Sequence, residues 1–184
     1  RRQSDMPHTQ HLLSIALNGP QQADLSRSVV SEIANRGCSI LECRLYPVGD
    51  QFAANLLVSG NWSSLGRLET ALPAIAGDLG LTAHCTRSAP RPMDDKLRPY
   101  AVEIIAPQEA GLLRDVLEFF RSHDASVVEI AAQHYDAAQT GAALANLQLV
   151  VHVPVNAHPP ALRESFMDLC DELHADGLLD PIKN

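Results

Sequence analysis

Hydrophobic and polar positions alternate with two different periods along the first half of the chain. Spacings of three and four residues predict helices, and strict alternation or short apolar runs predict strands. The predicted order is β-α-β-β-α-β, the split βαβ or ferredoxin-like unit. The six predicted elements cover residues 11–18, 25–36, 39–45, 52–58, 65–79 and 81–86.

The second half repeats this order, so the chain has an internal duplication. Residues 37–45 recur as residues 124–132, with Ser39, Ile40, Leu41 and Glu42 matched by Ser126, Val127, Val128 and Glu129. A repeat of this kind sets the architecture, because each copy is one supersecondary unit. The six elements of the second copy are predicted at residues 100–106, 111–120, 126–134, 147–153, 162–173 and 177–181.

These patterns predict an α+β protein of two tandem ferredoxin-like units with antiparallel sheets. Residues 1–10 are expected to be a flexible tail, residues 11–88 the first domain, residues 89–99 a proline-rich linker and residues 100–184 the second domain. Each half has a small core and exposed strand edges. We therefore expect the two halves to pair side by side.

Three local features carry more detailed expectations. Asp24 stands directly before the first helix, where its carboxylate could cap a backbone N–H group. Pro73 lies within the second helical stripe and predicts a kink or an early break. Strict alternation in the second strand would place Leu41, Cys43 and Leu45 on one face and Glu42 and Arg44 on the other.

Charge and composition exclude several classes of function. The formal charge of −8, from 14 basic and 22 acidic side chains, disfavours a protein that neutralises a nucleic-acid backbone. No apolar run is long enough to span a membrane, and no secretory signal is recognised. We therefore expect a cytoplasmic protein whose four cysteines are reduced and buried.

Side chains that could carry chemistry are scattered. No nucleophile motif, glycine-rich phosphate loop or tuned carboxylate pair is present, which predicts a protein that is not an enzyme. The eight histidines lack the spacing of metal ligands, so no metal or cofactor is expected. Trp62, the only tryptophan, is expected to pack at a strand-to-helix turn, although an exposed tryptophan there would suit a protein interface.

Two tandem units of this type resemble a pair of ACT domains, which are amino-acid-sensing regulatory modules. Four sequence features extend the resemblance to the glycine cleavage system transcriptional repressor family. They are Gly37-Cys38-Ser39-Ile40, Leu57-Val58-Ser59-Gly60-Asn61-Trp62, Arg91-Pro92 and Leu169-Cys170-Asp171-Glu172-Leu173-His174-Ala175-Asp176-Gly177.

The resemblance implies a ligand site at the loop between strand one and helix one of each unit. A helix N-terminus favours a carboxylate there, and a glycine at its start lets the ligand approach the backbone. Gly111 holds that position in the second unit, whereas Asp24 would repel a carboxylate or pair with an ammonium group. An aspartate typical of the family is missing, since Gln21 and Gln108 stand in its place. The candidate ligand residues are Gln108, Gly111, Leu112 and Leu113 in the second loop and Asn18, Asp24 and Leu25 in the first.

Glu42 and Glu129 occupy equivalent positions in the repeat. They could face each other's loop across a pseudo-twofold axis and bind an ammonium group. Glutamates at such positions also commonly form the solvated face of a strand.

The resemblance also implies a mode of action. The family restrains a LysR-type activator of the glycine cleavage operon and responds to glycine, so these are the expected partner and ligand, and a homodimer is possible. Three alternatives stay open: an interaction adaptor without a small ligand, a regulatory fragment of an amino-acid enzyme, and direct repression at DNA.

Overall fold

The computed structural model describes residues 11–183 of the 184-residue chain. The predicted tail at residues 1–10 lies outside the described residues. The described chain forms two compact units that divide between Pro92 and Met93. This division falls inside the segment predicted as a linker.

The first unit has the predicted order of elements. Its hairpin turn is at Gly49-Asp50, between the second and third strands. The elements are β1 (His11–Pro20), α1 (Leu25–Ala34), β2 (Ser39–Val48), β3 (Gln51–Gly60), α2 (Trp62–Asp78) and β4 (Thr82–Ser88).

The second unit repeats this order, with its first three strands longer and its last strand shorter than those of the first unit. Its first strand begins within the predicted linker, and a longer loop after Asp136 joins its two hairpin strands. The elements are β5 (Leu97–Pro107), α3 (Leu112–Ser122), β6 (Ser126–Asp136), β7 (Ala143–Pro154), α4 (Pro159–Glu172) and β8 (Asp176–Pro181). The predicted fold class is confirmed.

Each unit has its own antiparallel sheet and its own core. The strand orders are β2-β3-β1-β4 and β6-β7-β5-β8, so the first strand of each unit is central and the second strand is an edge. The helices cover one face, where apolar side chains are almost fully buried. In the first unit these include Leu13, Ile15 and Leu65, and in the second Ile104, Phe120 and Phe166. The side-by-side pairing of the two halves stays a prediction.

The helices of both units end in the same way. Each helix is followed by a residue in the left-handed conformation, which ends the helix by turning the backbone back on itself. In the first unit these residues are Gly37 and Gly80, whereas in the second they are Asp124 and His174. Gly37 and Gly80 directly follow the helices predicted at residues 25–36 and 65–79.

Both edge strands β2 and β6 contain a β-bulge at the same place in the repeat. The register shifts between Ile40 and Glu42 in β2 and between Val127 and Glu129 in β6. Leu41 and Val128 are therefore the extra residues, and both are exposed. The prediction that Leu41 lies on the same face of the strand as Cys43 is wrong, because the bulge inserts one residue into the alternation of side chains.

The cap at Asp24 and the early break at Pro73, both predicted for the first unit, are also wrong, while a kink at Pro73 stays a prediction. The Asp24 side chain does not cap α1, because the residue adopts the left-handed conformation with φ of 69°. Pro73 does not break α2, which continues to Asp78. Pro73 is itself exposed, while its neighbours Leu72 and Ile75 are buried in the core and hold the helix in place.

No helix within residues 11–183 is both long and apolar enough to cross a bilayer.

Candidate functional site

The loop between β5 and α3 leaves the start of a helix open. Gly111 stands at the N-cap of α3 and has no side chain to cap the first turn, although the Leu112 N–H donates to the Glu109 carbonyl at 3.1 Å. The Gln108 backbone N–H donates to the Ala143 carbonyl at 3.0 Å, which ties the loop to the hairpin. Leu112 is buried and Leu113 half-buried, so they anchor the helix. The loop therefore presents uncapped N–H groups, which favour an anion.

Arg114 adds a positive charge at this helix start that sequence reasoning missed. A Cβ atom at position 111 would lie 2.6 Å from an Nη atom of Arg114, so the guanidinium lies directly beside Gly111. Arg114 Nε also donates to Asp115 Oδ1 at 3.2 Å. The signal was an arginine three residues after the glycine, which is one helical turn away.

The corresponding loop of the first unit is filled by its own side chains. Arg27 donates hydrogen bonds to both carboxylate oxygens of Asp24, at 3.0 Å and 2.8 Å for its Nε atom. These hydrogen bonds hold the pKa of Asp24 below its ordinary value. Gln22 Nε2 donates to the Leu79 carbonyl at 3.0 Å. Both helix starts thus carry an arginine–aspartate pair, but the N-cap residue Asp24 belongs to the first pair, whereas the N-cap of the second loop is Gly111, which has no side chain.

The remaining candidates in the first unit do not meet on one surface of that unit. Leu25 is buried in the core. Asn18 is exposed and lies opposite Ala53 in β3, which in turn lies opposite Tyr46 in β2. Glu42 instead aligns through Leu57 with Ser14, four residues earlier along β1. At about 3.3 Å per residue this offset is roughly 13 Å, so Glu42 lies far from its own unit's loop.

Glu42 already has a basic partner. Arg91 Nη2 donates to Glu42 Oε2 at 2.9 Å, and both side chains are more than half exposed. Arg91 belongs to the Arg91-Pro92 stretch that carried the family resemblance, whereas Glu42 belongs to the internal repeat. Glu129 is exposed beside the second bulge. Ligand binding by either glutamate stays a prediction.

The cysteines and histidines of residues 11–183 do not form a metal site, since no three potential ligands cluster there. All four cysteines are free; Cys38 and Cys170 are buried, as predicted. The prediction is wrong for Cys43, which is exposed on the edge strand β2. Burial nevertheless raises the pKa of each of the four thiols above its ordinary value, so none is activated as a nucleophile.

The exposure of Trp62 differs most from what the sequence predicts. It is the first residue of α2, and 70% of its surface is exposed. Asn61 Oδ1 accepts a hydrogen bond from the Ser64 N–H at 2.7 Å, which fixes the helix start. The tryptophan is therefore held at the surface rather than packed in the turn.

Comparison with known proteins agrees with this architecture. Residues 11–86 match the family model of the ACT domain. Over 174 residues the chain is 25% identical to the glycine cleavage system transcriptional repressor of Escherichia coli K12, which covers 95% of this chain and 92% of the relative. The resemblance to the glycine cleavage system transcriptional repressor family is confirmed.

Solved structures show the same fold over the whole chain. A crystal structure described as a candidate glycine cleavage system transcriptional repressor has a TM-score of 0.67 and 24% identity, covering 96% of this chain and 99% of its own. An unknown protein from Galdieria sulphuraria has a TM-score of 0.75 and 18% identity, covering 95% and 99%. The curated relatives are named as transcriptional repressors, which agrees with the prediction of a regulatory protein that is not an enzyme.

Proposed function

We propose that this chain is an amino-acid-responsive regulator that represses transcription by binding an activator protein rather than DNA. The observation that carries the proposal is the similarity to a glycine cleavage system transcriptional repressor over 95% of the chain. The expected partner is a LysR-type activator of the glycine cleavage operon, and the expected ligand is glycine or another small amino acid.

The charge of the chain supports an indirect mode of action. A formal charge of −8 makes sequence-independent attraction to DNA phosphates unfavourable. Contact with a DNA-bound activator needs no such attraction. The regulator would then change transcription by favouring one state of the activator over another.

The second loop supports the sensor part of the proposal. Its open helix start and the neighbouring Arg114 guanidinium suit the carboxylate of an amino acid. Gly111 has no side chain of its own, so a small ligand that displaces the Arg114 guanidinium from beside it can approach the backbone. Glycine has no side chain, so recognition of this ligand depends on its carboxylate and ammonium groups alone.

A mobility-shift experiment on promoter DNA of a glycine cleavage operon would test the proposal. The purified protein alone should not shift the DNA, whereas adding it to the activator should change the mobility of the activator–DNA complex. Millimolar glycine should strengthen or weaken that change. A salt-sensitive shift by the protein alone would contradict the indirect mode and favour direct repression at DNA.

A ligand-independent adaptor is the second candidate function. The observation in its favour is the Asp24–Arg27 pair, which fills the first loop with the protein's own charges. An adaptor would change the activator–DNA complex to the same extent with and without glycine, serine or alanine. That result would contradict the amino-acid-sensing role, while the proposed interaction with the activator would stand.

A further inference from the structure

An exposed aromatic and basic patch lies along helix α2 of the first unit. We define the Trp62 patch as the groove lined by Trp62, Ser63, Gly66, Arg67, Thr70 and Ala71, together with Arg87 beside it. The groove residues form two adjacent rows along α2, each with a spacing of four residues, so they make one stripe on its outer surface. The stripe lies away from the helix face that packs on the sheet.

Contacts from two strands hold the indole ring of Trp62 in place. The Arg87 guanidinium lies over the ring, 5.1 Å from its centroid, and His11 meets it edge-on at 5.6 Å. Arg87 is itself bound to Glu69 at 2.9 Å. A large apolar side chain that is rigid before binding loses little conformational entropy on contact, which is why tryptophan dominates many interfaces.

The floor of the groove is made of small side chains. A Cβ atom at Gly66 would meet nothing within 4 Å, so the space above the helix is open. The groove has a volume of about 620 Å³ and is shallow rather than enclosed. Ligand pockets for small molecules enclose most of the ligand. This groove therefore suits side chains of a protein partner better than a metabolite.

The charged side chains of the Trp62 patch indicate which chemical groups the partner presents. Arg67 lines the groove and forms no ion pair with any residue in the part of the chain that the structure describes, where its closest polar contact is a 3.5 Å hydrogen bond to Ser64 Oγ. Two arginines, one of them already paired with Glu69, are too few cations for a nucleic-acid backbone. They are enough to bind one or two carboxylates, because arginine matches carboxylate geometry.

We propose that the Trp62 patch is the docking surface for an acidic segment of the partner protein, in which an apolar side chain packs on Trp62 above Gly66 and a neighbouring carboxylate binds Arg67. This inference rests on the proposed function, because it names the surface through which the regulator contacts its activator. The site of small-ligand binding, in the second unit, is a different one.

Binding of the purified LysR-type activator to four variants tests the inference. Trp62→Ala and Arg67→Glu should each weaken binding by about tenfold or more, as expected for interface anchors. Met93→Ala and Arg98→Glu make matched changes at exposed positions outside the patch and should leave affinity unchanged. Circular dichroism should show all four folded, since the altered side chains are exposed.

The outcomes separate this inference from the proposed function. If the activator binds the wild type and all four variants equally, the docking surface is wrong while the proposed function stands. If the activator does not bind the wild type, the proposed function fails and the inference fails with it. Loss of binding confined to Trp62→Ala and Arg67→Glu would support both.

A spectroscopic measurement identifies the occupant of the patch. Trp62 is the only tryptophan, so protein labelled with 5-fluorotryptophan gives one ¹⁹F resonance. Adding the activator should shift or broaden it. A resonance that instead moves with the concentration of the protein alone would identify a second copy of this chain, and one that moves with single-stranded DNA would identify nucleic acid. Either result would overturn the inference.

Discussion

A Cβ atom at position 177 would lie 2.4 Å from the Sγ atom of Cys170, so Gly177 in β8 and Cys170 in α4 pack with no space between them. The ring of Phe166 would lie 2.9 Å from the same added atom. All three residues belong to the core of the second unit or contact it. The Leu169–Gly177 stretch that carried the family resemblance is therefore a packing motif.

Gly177→Ala should destabilise the second unit. Overpacking a core typically costs about 1–3 kcal/mol of unfolding free energy. Hydrogen–deuterium exchange resolved by peptide should show faster exchange in β8 and α4, with residues 11–88 unaffected. Gly77→Ala is the matched control, because a Cβ there meets nothing within 4 Å. Equal protection in both variants would contradict the packing described here.

The two helix starts of the first unit should respond differently to substitution. Asn61→Ala removes a real side-chain cap of α2 and should lower the free energy of unfolding by about 1 kcal/mol. Asp24→Gly should not lower the melting temperature, because it relieves a left-handed residue whose side chain caps nothing. Thermal unfolding followed by circular dichroism compares them. Equal losses would mean that Asp24 also acts as a cap.

Gly111→Asp should abolish binding of glycine to the second loop. A carboxylate at the open start of α3 would repel the ligand carboxylate and take the Arg114 guanidinium for itself. Gly111 has a φ of −91°, so a side chain there strains no backbone. Titration calorimetry with glycine measures the effect, and Gly77→Asp controls for the added charge. Undiminished affinity would place the site elsewhere.

Thiol reactivity should differ sharply among the cysteines. Cys43 is exposed and should react with iodoacetamide in the folded protein before the buried Cys38 and Cys170 do. Because burial raises the pKa of the Cys43 thiol, its rate should reach half-maximum at a higher pH than that of a free cysteine. Peptide mass spectrometry over a pH series checks both statements. Earlier labelling of Cys170 would show that α4 opens.

The fold could be predicted from the sequence because periodicity and turns agree in both halves. Gly37, Gly80 and the Gly49-Asp50 turn mark element boundaries where the structure has them. Asp124 and His174 take the same left-handed positions without being glycine. Backbone hydrogen bonds from Ala125 to the Phe120 carbonyl and from Ala175 to the Cys170 carbonyl close those two helix ends. The left-handed preference of aspartate and histidine is weaker than that of glycine, so it gave a weaker signal.

The candidate site could be predicted only in part. The positions of the two loops follow from the order of elements, but the side chains that fill them do not. The sequence alone did not reveal that Arg27 would bind Asp24, or that Arg114 would lie beside Gly111. Such contacts depend on the rotamers of long side chains, which the spacing of hydrophobic and polar residues does not determine.

The paired bulges at Leu41 and Val128 make this fold unusually tolerant of a change in length. Removing one residue from an ordinary strand turns every later side chain to the opposite face of the sheet. Removing Leu41 would join Ile40 to Glu42 in the register that the hydrogen bonds already have, so Cys43 and Leu45 would keep their places. A single-codon deletion at either bulge should therefore spare the core, and genes of this type could differ in length there while encoding the same fold.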